Sequence, residues 1–125
     1  MNVVDSSGWL EYLVDGPNAR LFAPAVERPK ELIVPTISIY EVFKKTRHQR
    51  GEAYALKVVA LMYQGEVVPL SQGLAVAAAR LSSDLALPMA DSIILATASV
   101  HGATLWTQDK DFAAIEGVKY IAKNN

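Results

Sequence analysis

The sequence predicts an α/β domain of three layers, a central, mostly parallel sheet of about five short strands flanked by helices. Three observations lead there. Short apolar runs alternate with longer segments of helical periodicity. The runs are continuously apolar, as in strands buried on both faces. Helix-length sequence separates them, as a parallel crossover requires. At 125 residues the chain suits one domain, spanning 1–125.

Asn2-Val3-Val4 is a short β-branched run that stops at Asp5. From Ser6 to Val14, Trp9, Leu10 and Leu13 recur at helical spacing, and Asp15-Gly16-Pro17 ends the segment. Asn18 to Glu27 reads as a second helix, although Pro24 opposes it by removing a donor. Leu32-Ile33-Val34 is the next strand, bounded by Pro35. Thr36 to Gln49 reads as a helix ending near Gly51, and Glu52 to Tyr63 as another closed by Gly65. Glu66-Val67-Val68 is the third strand, and Ser71 to Leu85 an alanine-rich helix. Pro88 suits the first residue of a helix that runs to Val100 and stops at His101-Gly102. Thr104 to Thr107 is the fourth strand, Asp109 to Ile115 a short helix and Val118 to Ile121 the fifth strand. Lys123-Asn124-Asn125 is expected to be a frayed tail. Trp9 and Trp106 sit in apolar patterns and are expected in the core.

Composition removes whole classes of chemistry. The absence of cysteine excludes disulfides, thiolate zinc sites, iron–sulfur clusters and cysteine nucleophiles. Two histidines, His48 and His101, are too few for a multi-histidine metal centre. A net charge of −1 and a pI near 6.1 give no global basic field, so any nucleic-acid contact must come from a local patch. An apolar share of 51% with mean hydropathy +0.17 is high for a small monomer and points to surface buried against a partner. The segments 52–63 and 71–85 are apolar beyond one face, which predicts a homodimer using part of them. No signal-peptide layout opens the chain, and no apolar run approaches the ~20 residues of a membrane span. Freedom from cysteine fits a reducing, cytoplasmic location.

Four acids fall where a parallel sheet places ligands. Asp5 follows the first strand, Glu41 lies early in the third helical segment, Asp91 lies in the first turn after Pro88, and Asp109 follows the fourth strand. Singly, each has a plain structural role. Asp5 and Asp109 can cap helices, Ser38 to Glu41 matches a capping box, and Asp91 complements a helix dipole. Together they occupy the carboxyl edge of the sheet, where ligands bind. Clustered carboxylates repel, and a hard divalent cation such as Mg²⁺ or Mn²⁺ is the natural reason to gather them. Such a cation polarises phosphoryl oxygens and generates a hydroxide nucleophile near neutral pH, so the reaction class is phosphodiester hydrolysis.

Competing motifs are thin. Asp109-Lys110-Asp111 is a DxD, without the first-strand position or following Thr of an aspartyl-phosphate phosphatase. Neither a GxSxG elbow nor a phosphate-cradling glycine loop is present. His101 reads as a helix C-terminal residue and His48 as solvent- or RNA-facing. The stretch from Lys44 to Arg50 carries Lys44, Lys45, Arg47 and Arg50 with no acid, three residues beyond Glu41. It is either a solvated helix end or an arm that contacts phosphates.

The stretch from Leu87 to Phe112, with Asp91, Thr107, Asp109 and Asp111, resembles the C-terminal signature of PIN domains, specifically VapC-type toxins. Val3-Val4-Asp5-Ser6-Ser7 and Ser38-Ile39-Tyr40-Glu41-Val42 resemble the first two motifs of that family, so the likeness covers essentially the whole chain. By that resemblance Asp5, Glu41, Asp91 and Asp109 match the metal-binding acids. Ser6 or Ser7 and Thr107 match supporting hydroxyls, and Asp111 matches an acid beside the site. Trp106 stands where an aliphatic residue is more usual. The resemblance implies an endoribonuclease that uses Mg²⁺ or Mn²⁺, forms a homodimer and is silenced by a cognate antitoxin covering the site. Two rivals are a catalytically silent PIN-type RNA- or partner-binding module and an unrelated metal phosphatase.

Overall fold

The computed structural model describes residues 1–123. The strands are β1 (Asn2–Val4), β2 (Leu32–Pro35), β3 (Glu66–Val68), β4 (Thr104–Thr107) and β5 (Val118–Tyr120). The helices are α1 (Ser6–Leu13), α2 (Ala19–Val26), α3 (Thr36–Arg50), α4 (Glu52–Met62), α5 (Gln72–Leu85) and α6 (Met89–Val100). All strand pairs are parallel, in the order β3-β2-β1-β4-β5. The chain builds outward from β1 to β3, then returns across β1 to lay down β4 and β5. The order therefore reverses between β1 and β4, and that crevice is where an open parallel sheet binds its ligands.

Successive strand residues point to opposite faces. Val4, Leu32 and Val34 pack with Trp9, Phe22, Val42, Val58 and Met62, contributed by α1 to α4. Val3, Ile33 and Leu105 pack on Ile94, Leu95 and Ala98 of α6 and on Phe112. Helix α5 covers α6 from outside through Leu74 and Ala78. Ser92 to Ala98 of α6 are all buried, as a helix apolar all round requires. No single helix among the described residues is long and apolar enough to cross a membrane.

Several elements differ from expectation in instructive ways. The helix expected from Asp109 to Ile115 is a 3₁₀ turn, Lys110–Phe112, because the Asp109 carboxylate accepts the Asp111 N–H at 2.9 Å and fully buried Phe112 anchors it. Ser71 is the N-cap of α5, accepting from the Leu74 N–H at 3.1 Å, and Pro88 is the N-cap of α6. Helix α2 forms with Pro24 inside it. Burial of Ala19, Phe22, Ala25 and Val26 outweighs the one backbone bond that proline removes. Trp9 is core as expected, but Trp106 is only partly buried. Its Nε1–H donates to Asn2 Oδ1 at 2.8 Å, and Lys119 lies 4.0 Å from its ring centroid. In the expected tail, Lys123 is exposed and irregular, and Asn124 and Asn125 lie outside the described residues.

Gly8 lets α1 start hard against the sheet. A Cβ there would lie 2.7 Å from Val4 Cγ1 and 2.8 Å from the Phe22 ring, both fully buried. Gly8→Ala is therefore expected to cost about 1–3 kcal/mol through overpacking, despite alanine's better helix propensity. A chemical denaturation midpoint equal to or above that of the parent would refute this packing argument.

Candidate active site

Asp5 is both cap and crevice residue. Its N–H continues the β1–β4 pairing through the Trp106 carbonyl at 3.1 Å, and its side chain caps α1. Oδ1 accepts from the Gly8 N–H at 2.9 Å and the Ser7 hydroxyl at 2.8 Å. Oδ2 accepts from the Thr107 hydroxyl at 2.7 Å, and Thr107 Oγ1 accepts from the Asp109 N–H at 2.9 Å. The carboxyl is thus fixed from β4 and α1 together. Burial pushes its pKa up to about 6, against the downward pull of Thr107, Gly8 and Ser7, and nearby Asp109 adds to the rise.

Asp91 comes from the first turn of α6, and Asp109 and Asp111 from the end of β4 and the 3₁₀ turn. One carboxylate oxygen from each of these three lies within 4.8 Å of the others. Partial burial first, and then the charges of Asp109, Asp5, Asp111 and Glu41 in that order, together raise the Asp91 pKa to about 7. One carboxyl therefore feels all the other acids that the sequence singled out. Asp111, expected beside the site, belongs to its tightest cluster.

The capping box expected at Ser38 and Glu41 does not form. Helix α3 begins at Thr36, so both residues lie inside it. Ser38 Oγ is buried with no hydrogen-bond partner among the described residues. Glu41 instead accepts from the Ser6 hydroxyl at 2.5 Å, across from α1. All the donors gathered here are carboxylate oxygens, which suits a hard divalent cation. Asp91, Asp109 and Asp111 are spaced to share one ion, with Asp5 and Glu41 beside that triad.

The basic segment divides. Lys44 and Lys45 line a hollow of about 390 Å³ with Ser6, Tyr40, Glu41 and His48. Arg47 turns to Glu52 at 3.1 Å, and Arg50 lies 4.3 Å from the Tyr54 ring centroid, so both tie the end of α3 to α4. Sequence reasoning missed Gln108, whose Oε1 accepts from Asn18 Nδ2 at 3.0 Å. Ninety positions separate that pair, and although Gln108 lies between Thr107 and Asp109 in the C-terminal motif, nothing in the sequence joins it to Asn18. His101 closes α6, its Nδ1 2.8 Å from the Thr97 carbonyl.

The PIN domain family model matches residues 3–118. The chain belongs to the PIN domain family. A toxin–antitoxin complex from Klebsiella pneumoniae contains a chain 28% identical to this PIN domain, with TM-score 0.78, covering 94% of this chain and 95% of that one. VapC20 of Mycobacterium tuberculosis, described as a sarcin–ricin loop cleaving toxin, is 18% identical with TM-score 0.77, covering 95% and 98%. A chain of the DNA-bound VapBC of Salmonella typhimurium is 16% identical with TM-score 0.74, covering 98% of each. At those two identities the likeness is one of fold. No curated protein sequence matches the chain.

Proposed function

We propose that this PIN domain is a Mg²⁺- or Mn²⁺-dependent endoribonuclease and the toxin of a toxin–antitoxin module, acting in the cytoplasm. The observation that carries the reading is the convergence of five acids from four segments at the crevice between β1 and β4. These residues would hold a divalent cation, which would supply Lewis-acid chemistry toward a phosphoryl oxygen and a water. Asp91, Asp109 and Asp111 would hold it, with Asp5 and Glu41 completing the negative field. Ser7 and Thr107 keep Asp5 in one orientation, and Ser6 does the same for Glu41. Lys44 and Lys45 offer cations to the RNA backbone along the hollow beside Glu41.

The similarity to a chain of a toxin–antitoxin complex supports a cognate antitoxin as partner. A homodimer has surface to use: Leu70, Val76 and Met89 are 48%, 52% and 72% exposed around α5 and α6, and Leu56 of α4 is 56% exposed. The deciding assay is cleavage of unstructured RNA by purified protein in Mg²⁺ or Mn²⁺ and in EDTA. Metal-dependent cleavage is expected. RNA binding without cleavage in either metal would instead mark a silent binding module, and rapid hydrolysis of a chromogenic phosphomonoester would favour a phosphatase.

The division of the basic segment has its own expected outcome. Replacing Lys44 and Lys45 with Ser should weaken RNA binding and lower the salt slope by ~0.7 for each phosphate no longer neutralised. Replacing Arg47 and Arg50 should loosen the α3–α4 junction and leave that slope in place. The reverse pattern in a salt titration would show that the arginines leave Glu52 and Tyr54 to meet the strand.

A further inference from the structure

Three hollows follow one another, the middle one sharing residues with each of the other two, and together they form one trough. The first, beside Glu41, has Leu10 and Lys45 in its wall. Leu10 and Lys45 also line a second, of about 250 Å³, with Ser7, Val14, Gln49, Gln108, Lys123 and one acid, Glu11, whose carboxylate is engaged by the Asn18 N–H at 2.7 Å. Gln108 and Lys123 then line a third, of about 300 Å³, with Asp109, Lys110 and Tyr120. The trough enters past Lys44 and Lys45, passes Ser7, and leaves past Asp109 on the β5 side.

Its two ends are chemically alike. Tyr40 and two lysines stand at the entry, and Tyr120, Lys110 and Lys123 at the exit. Lys110 and Lys123 are exposed and make no salt bridge among the described residues. Lys119, one residue from Tyr120, is by contrast occupied over Trp106. At the join sits Gln108, 6% exposed. Its Oε1 accepts from Asn18, itself 1% exposed and also donating to the Ala122 carbonyl at 3.0 Å. That bond fixes the amide. The Nε2 donors, which have no protein partner among the described residues, are left for whatever lies in the trough. Cations along a groove, an aromatic ring and an oriented amide donor are the parts that hold an unpaired strand.

We infer that the exit half of this trough is the second arm of a single-stranded RNA track. Gln108 donates to the strand, Lys110 and Lys123 meet its phosphates, and Tyr120 supports a base. The assignment rests on the nuclease reading above. It runs the strand past Glu41 at one end and Asp109 at the other, with basic contacts at both ends of the trough in place of a single arm at Lys44 and Lys45.

The test uses full-chain Asp91→Asn protein, a fluorescein-labelled oligouridylate and anisotropy across a salt series. Lys110→Ala/Lys123→Ala should weaken binding and lower the slope of log K against log salt by about 1.4, the share of two single-strand phosphates. Gln108→Met removes the donors without adding a charge, so affinity should fall about tenfold, in the range of one charge-assisted hydrogen bond, in protein whose thermal melt shows that it is folded. Lys57→Ala, on α4 and lining none of the three hollows, should change neither quantity. If the exit variants bind as the parent does while Lys44→Ser/Lys45→Ser binds weakly, the track ends at Asp109 and the inference falls, with the nuclease reading intact. If the Asp91→Asn parent binds no RNA and the wild type cleaves none, the nuclease reading falls and takes this one with it.

Discussion

Asp91→Asn and Asp109→Asn are expected to lower RNA cleavage by about 100-fold or more while leaving the fold in place. The amide keeps the shape of the side chain and removes the anionic oxygen that a cation needs. Asp109 also caps the 3₁₀ turn by accepting the Asp111 N–H, and asparagine caps about as well as aspartate. A purely capping role therefore predicts nearly neutral variants. The metal role predicts abolished cleavage with metal-free stability that holds or rises, since one of several repelling charges is gone. Asp5→Asn and Glu41→Gln should lose activity in the same direction. Glu116→Gln, an exposed acid outside the four motif positions, is the control. Cleavage at the wild-type rate by purified Asp91→Asn protein in Mg²⁺ or Mn²⁺ would end the metal reading.

Metal-free protein should lose stability as pH rises from about 4 to about 7, and a divalent ion should restore it. Asp5 and Asp91 hold their protons in the folded state up to about 6 and about 7, above the 3.8 of an unperturbed Asp. Between those values the folded chain binds more protons than the unfolded one. The stability these groups contribute is complete below pH 4 and is lost as pH passes through their folded values. For buried Asp5 the loss is about 2–3 kcal/mol, and half-buried Asp91 adds to it in the same direction. An ion at ~100 times its Kd adds about 2.7 kcal/mol, or roughly 10 °C of Tm for a domain of this size. The metal increment should grow with pH, because the ligands must be ionised to bind. Melting curves at pH 5 and pH 8, in Mn²⁺ and in EDTA, read both effects. Identical melts with and without Mn²⁺ at pH 8 would remove the site.

The fold was legible because every strand in it is short and mostly apolar, while the helices carry clear stops at Gly51, Gly65 and Gly102. The carboxyl edge was legible for a related reason. Residues just after strands, such as Asp5 and Asp109, can only fall there in a parallel sheet. What stayed hidden depended on direction. Lys44 and Arg47 are one turn apart on α3, yet one faces the hollow and the other faces Glu52. Ser38 and Glu41 have capping-box spacing, but Pro35 starts the helix too early for them to use it. Asp111 is expected beside the site from its motif, but its distance from Asp91 depends on a 3₁₀ turn, tighter than the α-helix expected there, that leaves their carboxylates within 4.8 Å. The Asn18–Gln108 pair left no trace in sequence, because its partners meet only through the tertiary fold.

The hydrogen bond from Thr107 to Asp5 also sets a clock. Asp5 leaves the ribosome 102 positions ahead of Thr107. The nascent chain can pair β1 with β2, and β2 with β3, before β4 exists, although the face that carries Val3 and Ile33 stays uncovered until α6 arrives. Until Asp91, Thr107, Asp109 and Asp111 have emerged, Asp5 lacks its buried hydroxyl partner and the triad has no complete set of members. A partly synthesised chain therefore lacks the complete set of acids on which the proposed chemistry depends. Assembly of the crevice waits until Asp111 has emerged from the ribosome.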